Sequence, residues 1–260
     1  MRLKLIACEI FYRELSAAVA RSTNRVDVEF LPKGLHDAGQ AAMSARLGAA
    51  LAAVDTAQYE AVLLGYGLCS NGLLGLRARV VPLVVPRAHD CITLFLGSKE
   101  RYLDYFMSHP GVYFKTTGWI ERGEGLAQLG PEATAQLGPQ AVQNRSGLGQ
   151  SYEDLVAKYG EDNARFLYEQ LGNLLRNYRG LTFIEMGIEP DDRFERRTRQ
   201  EAAERGWTFE KLAGDMALIQ TLVDGPWDAG RFLVVPPGHR IVPSFDDSVI
   251  KAVPDQAPGE

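Results

Sequence analysis

An α/β fold with a Rossmann-like, mostly parallel sheet is what this sequence predicts, and three observations predict it. Short apolar, β-branched runs alternate with stretches of helical spacing. Their order, strand-helix-strand-helix-strand-helix-strand, calls for right-handed crossovers and parallel pairing. Finally, residues 229–238 resemble residues 59–67 in carrying an apolar run that ends in glycine, which suggests a degenerate internal repeat. On this reading residues 1–122 form a first Rossmann-like half and 123–150 a loop or lid. Residues 151–251 form a helix and a second half, and 252–260 a tail with two prolines.

Leu3 to Cys8 reads as the first strand, and Phe11 to Ser22 as a helix with Phe11, Leu15, Ala18 and Val19 on one face. Val26 to Leu31 alternates apolar and acidic residues as a half-buried strand does, and Pro32 to Gly39 is a loop. Ala41 to Val54 is rich in Ala and Leu, which favours helix. Ala61 to Leu68 is the third strand, Leu73 to Ala78 a short helix, and Val80 to Val85 the fourth strand. A helix over Leu94 to Ser108 leads to a fifth strand, Val112 to Thr116. The stretch 123–149 is rich in Gly, Gln and Ala, and Tyr152 to Tyr178 keeps a long apolar helical face. The second half then runs strand 181–184, helix 193–205, strand 207–212, helix 215–224 and strand 232–235.

Composition narrows the function. The chain has 260 residues, enough for a full core, with 46% hydrophobic and 23% charged residues, an ordinary globular balance. A net charge of -5 without any basic block argues against nucleic acid, and no apolar run reaches membrane-span length. The N-terminal apolar stretch before Cys8 is too short for a signal peptide. Three cysteines spread over more than eighty residues do not make a secreted disulfide scaffold, so a cytoplasmic protein with reduced thiols is expected.

Those cysteines share one context. Cys8, Cys69 and Cys91 each follow a predicted strand, and His89 stands beside the last in Pro86-Arg87-Ala88-His89-Asp90-Cys91. Ligands of open α/β sheets bind outside the carboxyl ends of the strands. In the common doubly wound order the first, third and fourth strands are neighbours, about 4.8 Å apart. Taken singly, each cysteine is an ordinary core residue; together, Cys8, Cys69, His89 and Cys91 read as one metal site. Three thiolates and an imidazole suit zinc, while the cysteines alone also suit an iron-sulfur cluster. The pair His89-x-Cys91 has the form of a zinc motif in enzymes that activate a thiol for methyl transfer.

Around this set, Glu9 and Asp90 adjoin thiols and are the candidate acid, base or partner of His89, although solvated loop carboxylates are equally common. Gly65, Tyr66, Gly67 and Lys115 are candidate cofactor-binding residues, the glycines for close backbone approach and Lys115 for an anionic group. Trp119 is a further candidate for the pocket wall. His36, His109 and His239 read as loop residues. No dinucleotide fingerprint, phosphate loop or Ser-His-Asp arrangement is visible.

The segments 63–72, 86–91 and 159–164 resemble the domain-of-unknown-function family 1638 over nearly the whole chain. That resemblance implies an association with corrinoid proteins and their methyltransferases, and so adds weight to methyl-group chemistry with a corrinoid protein as partner. Three functions follow as expectations. The first is a zinc-dependent enzyme or accessory protein of corrinoid-linked methyl transfer that acts on a small molecule. The second is an iron-sulfur protein of redox or lyase chemistry. The third is a non-catalytic binding module stiffened by a structural metal.

Overall fold

The computed structural model describes residues 1–36, 38–69, 71–123, 156, 160–161 and 178–255. The expected loop or lid over 123–150 and nearly all of the expected helix 152–178 therefore lie outside the described residues.

The fold is mixed α/β around a central five-stranded sheet. Its strands are β1 (Arg2–Cys8), β2 (Arg25–Leu31), β3 (Ala61–Gly65), β5 (Leu83–Pro86) and β9 (Phe232–Val235), in the order β2-β1-β3-β5-β9. The first four run parallel, and β9 adds antiparallel to β5. Burial follows position in the sheet. β3 and β5 are buried at every residue, whereas the edge strand β2 keeps its alternating acidic residues partly exposed. Parallel strands covered on both faces read as continuous apolar runs, as these two do. Each fully buried Leu or Val of this sheet contributes roughly 1.5–3 kcal/mol.

The helices match the sequence pattern closely: α1 (Tyr12–Arg21), α2 (Gln40–Ala52), α6 (Arg193–Arg205) and α7 (Ala217–Asp224). The single helix expected over 94–108 is two, α3 (Cys91–Leu96) and α4 (Lys99–Ser108). The break is Gly97, whose φ of +80° ends α3, after which the Ser98 hydroxyl caps α4. A Cβ on Gly97 would stand 2.7 Å from the Asp215 side chain, so the break is also a close contact. The expected short helix 73–78 is a turn followed by β4 (Arg77–Ala78), and the expected fourth strand begins only at Leu83.

The two halves do not divide as the repeat suggested. The strand expected to complete the first half, β6 (Val112–Thr116), pairs parallel with β7 (Gly180–Glu185), which pairs with β8 (Thr208–Ala213) in a separate three-stranded sheet. Conversely, β9 from the second half closes the central sheet. Segment 229–238 thus supplies an antiparallel edge strand beside β5, not a counterpart of β3 in a second sheet. A third sheet, β11-β10-β4, joins β10 (His239–Pro243) and β11 (Ile250–Pro254) to β4, so ordered strand continues three residues into the expected tail. The Arg87 guanidinium fastens these pieces to the end of β5, donating to the carbonyls of Ala229 (2.8 Å), Phe232 (3.3 Å), Ser248 (2.8 Å) and Ile250. No described helix is long and apolar enough to cross a membrane.

One buried carboxyl stands outside any pairing among the described residues. Glu14 on α1 is 1% exposed and neither carboxyl oxygen has a hydrogen-bond partner among the described residues. Its neighbour Arg13 is turned to Glu121, with contacts of 2.9 and 2.6 Å. Burial, with a smaller push from Glu189, raises the Glu14 carboxyl from 4.5 to about 7. A raised carboxyl binds its proton more tightly folded than unfolded. Its favourable contribution is therefore complete below about pH 4.5 and is lost as pH rises through about 7. The loss amounts to about 3 kcal/mol. Glu14→Gln should abolish it. Urea unfolding of both proteins from pH 4 to 8 should show wild type falling behind the variant as pH rises; parallel profiles would refute the assignment.

Candidate functional site

The strand order reverses between β1 and β3, because the chain leaves β1 for β2 on one side and returns to β3 on the other. That is the topological switch point where open α/β sheets bind ligands. Cys8 is the last residue of β1, and a 3-10 turn, Glu9–Phe11, carries the chain from it into α1. Beyond β3, residues 66–69 run beside the segment that follows β5. The Leu68 N–H donates to the Ala88 carbonyl (2.8 Å) and the Cys69 N–H to the His89 carbonyl (3.0 Å). Gly67 makes this possible: a Cβ there would lie 2.7 Å from the Asp90 backbone. Cys69 and Asn71 adopt the left-handed region, with φ of 39° and 64°. Non-glycine residues are held there only where surrounding bonds determine the turn; the Gly72 N–H to the Cys69 carbonyl, 3.0 Å, is one of them.

All three cysteines line one cavity of about 20 Å³ at this edge. Cys8 and Cys69 are buried, Cys91 is half-buried, and all three are free thiols. Tyr66 and Gly67 line the same space. The opposite wall comes from the segment after β2, with Lys33 and His36, and from Met43 of α2. Trp119 closes it from α5 (Thr117–Glu121), which packs so tightly on the 3-10 turn that a Cβ on Gly118 would meet the Ile10 carbonyl at 1.8 Å. The Lys33 ammonium lies 4.1 Å from the Trp119 ring centre and donates to the Gly123 carbonyl.

Burial dominates the electrostatics. It pushes the Cys8 and Cys69 thiols up to about 12, and Cys91 well above its ordinary value. The thiols also raise one another, Cys8 acting on Cys69 and both acting on Cys91. Backbone N–H groups work the other way: Ile10 lowers Cys8, and Gly67 and Cys91 lower Cys69. Lys33 also lowers Cys8. In the absence of a cation these are neutral thiols at pH 7. Among the described residues, no group of three or more His, Cys, Asp and Glu side chains is already gathered as a metal shell. The soft donor set still fits a thiophilic metal.

The other expected site residues have structural tasks. The His89 side chain is exposed and outside the cavity; only its carbonyl serves the site. Asp90 caps α3 through the Ile92 N–H (3.0 Å) and accepts from the Tyr102 hydroxyl (2.9 Å). Glu9 accepts from the Lys33 N–H (2.9 Å) and lies 3.7 Å from Arg122, which ties the end of β1 to the segment after β2. Gly65 pairs with Ala7 in the sheet, and a Cβ there would lie 2.6 Å from that of Ala7. Lys115 is buried at the end of β6 in the other sheet and pairs with Glu201. Trp119, Tyr66 and Gly67 do line the cavity. Lys33, His36 and Met43 were missed by sequence reasoning. The available signal was that Lys33 lies two residues beyond the end of β2, at the same sheet edge as the cysteines.

Comparison with known proteins agrees with the motifs. The family described as "Protein of unknown function (DUF1638)" matches residues 30–223, and the chain belongs to it. No curated protein and no solved structure shows a significant match.

The Gly67 contact yields a direct test. Gly67→Ala must part the loops after β3 and β5, at a cost of about 1–3 kcal/mol. Urea unfolding should record that loss, and Cys69 and Cys91 should react faster with a thiol reagent in the native state. Unchanged stability would mean that the two loops are not held in contact.

Proposed function

We propose that this chain is a metal-binding protein whose Cys8, Cys69 and Cys91 hold one ion, zinc first, and that it acts as an enzyme in or alongside corrinoid-linked methyl transfer. The observation that carries the metal reading is that three cysteines from three neighbouring strand ends line one cavity. The order β2-β1-β3-β5 supports a Rossmann-like description of the central sheet, with the cavity in the usual crevice.

With His89 turned to solvent, Cys8, Cys69 and Cys91 would be the protein donors to an ion, and three protein donors would be the catalytic rather than the structural pattern. Bound there, zinc would hold the cysteines as thiolates and acidify a water or substrate thiol at the open position. The protein's own groups complement that. The backbone N–H groups of Ile10, Gly67 and Cys91 lower the Cys8 and Cys69 thiols and would favour negative charge on sulfur. Phe11 and Trp119 exclude water, and Lys33 places a positive charge in the wall. Methyl transfer ranks first among reactions because the family resemblance implies an association with corrinoid methyltransferases, which would make a corrinoid protein a partner.

Anaerobic purification followed by elemental analysis tests this. About one zinc per chain is expected, in colourless protein, and clearly less in Cys69→Ser. Brown protein that bleaches in air would identify a cluster instead. Protein without metal, whose three thiols all react freely in the native state, would leave the cysteines as core residues and overturn the proposal.

A further inference from the structure

We propose that Glu14 is a proton switch on the clamp by which the start of α1 holds α5, and with it Trp119, over the thiol cavity. Protonated Glu14 leaves the clamp closed, and ionised Glu14 loosens it. The switch does not depend on what the cavity binds.

The clamp is built on residues 9–13. Arg13 donates to both carboxyl oxygens of Glu121 on α5, at 2.9 and 2.6 Å. The next residue, Arg122, lies over the Tyr12 ring at 4.8 Å and reaches Glu9 at 3.7 Å. Gly118 abuts the Ile10 carbonyl so closely that no side chain fits there. Among the described residues these contacts dock α5 on the turn that leads from Cys8 into α1. Trp119 lies between them in the chain and lines the cavity.

Glu14 follows Arg13 on α1 and is buried, with no hydrogen-bond partner for either oxygen among the described residues. The charges that face it are Glu189 after β7, Arg13 on its own helix and Glu121 on α5. Glu189 is fixed by the Met186 and Ile188 N–H groups, at 2.7 and 3.0 Å. Elsewhere around α1, α7 carries no ionisable residue before Asp224, which accepts from Gln220. The acids of β2, Asp27 and Glu29, pair with Arg2 and Lys4. Glu9, in the 3-10 turn, is turned to the Lys33 N–H. An ionised carboxylate is strongly disfavoured in a buried site without a donor. The cation that faces Glu14 is Arg13, which Glu121 already holds. Ionised Glu14 relieves its burial by admitting water or by drawing on Arg13, and either weakens the pair that holds α5. Opening of α5 therefore becomes more frequent as Glu14 loses its proton, around pH 7.

Hydrogen exchange of wild type, Glu14→Gln and Glu121→Gln at about pH 5.5 and 8.5 tests this, with exposure times scaled to the intrinsic exchange rate. In wild type, peptides covering 117–123 should exchange faster than those of β1 and β3. Their protection should fall about thirtyfold between the two conditions, the change in opening expected when Glu14 returns from about 7 to 4.5. Glu14→Gln should protect α5 equally in both. Glu121→Gln lacks the clamp and should expose α5 already at the lower pH. The same pH dependence in wild type and Glu14→Gln would overturn the inference. So would α5 exchanging in step with β1 and β3, because Glu14 would then act on the whole fold and not on α5. Undiminished protection of α5 in Glu121→Gln would overturn it as well, and that comparison does not need Glu14→Gln to fold.

Discussion

Two backbone hydrogen bonds beyond the end of the central sheet, from Leu68 to Ala88 and from Cys69 to His89, hold the site together. They extend the β3 and β5 pairing past the last residues of either strand. Without them the loops that carry Cys69 and Cys91 would have no reason to stay in register with each other or with Cys8. They demand in turn that residue 67 have no side chain, and that Cys69 accept a left-handed backbone. The Asp90 carboxylate, expected to do chemistry, stabilises the same arrangement from outside by capping α3. The glycine and the carboxylate beside the thiols are thus scaffolding for the cavity.

Local pattern carried most of the element assignments. The runs around residues 3–8, 61–65 and 83–86 are short, apolar and bounded by turn residues, and their order was enough to place the first, third and fourth strands side by side. What periodicity does not report is which sheet a strand joins. Val112–Thr116 has the same local character as its predecessors, yet it pairs with β7, over sixty residues away in sequence. Phe232–Val235 reads as another parallel strand, yet it enters antiparallel beside β5. Both choices are made by long-range contacts, among them the four carbonyls gathered by Arg87. The apparent repeat failed for the same reason: apolar runs ending in glycine are common to strands of either direction.

The site was legible where chain position determines it. A cysteine at the end of a parallel strand must lie at the ligand-binding edge, so the three thiols could be read from topology. His89 could not, because the strand ends at Pro86 and α3 begins at Cys91, so strand alternation does not set the direction of a side chain between them. Its carbonyl faces the Cys69 loop while its imidazole faces solvent. Lys115 was misplaced by the sheet exchange itself, since the strand that carries it belongs to the other sheet. Lys33 followed the same edge rule as the cysteines, but it lay in a stretch whose polar and glycine residues suggested nothing beyond a loop.

The electrostatic balance of the cavity explains why such a set of residues is consistent with a cation. Burial and mutual repulsion keep each thiol protonated on its own, and each thiolate formed would make the next harder to form. A divalent ion reverses both effects, because it compensates the burial of charge and turns repulsion between ligands into shared attraction. The N–H groups of Ile10, Gly67 and Cys91 already favour charge on sulfur, which a purely apolar core would not require. Glu14 offers the contrast within the same protein. It too is buried and raised, but among the described residues it has only its own backbone N–H and the already engaged Arg13 to oppose burial. Near neutrality it can resolve its burial by holding a proton. The thiols can do the same, but their surroundings also offer a charged alternative: three soft donors lining one space, with backbone N–H groups that lower the Cys8 and Cys69 thiols.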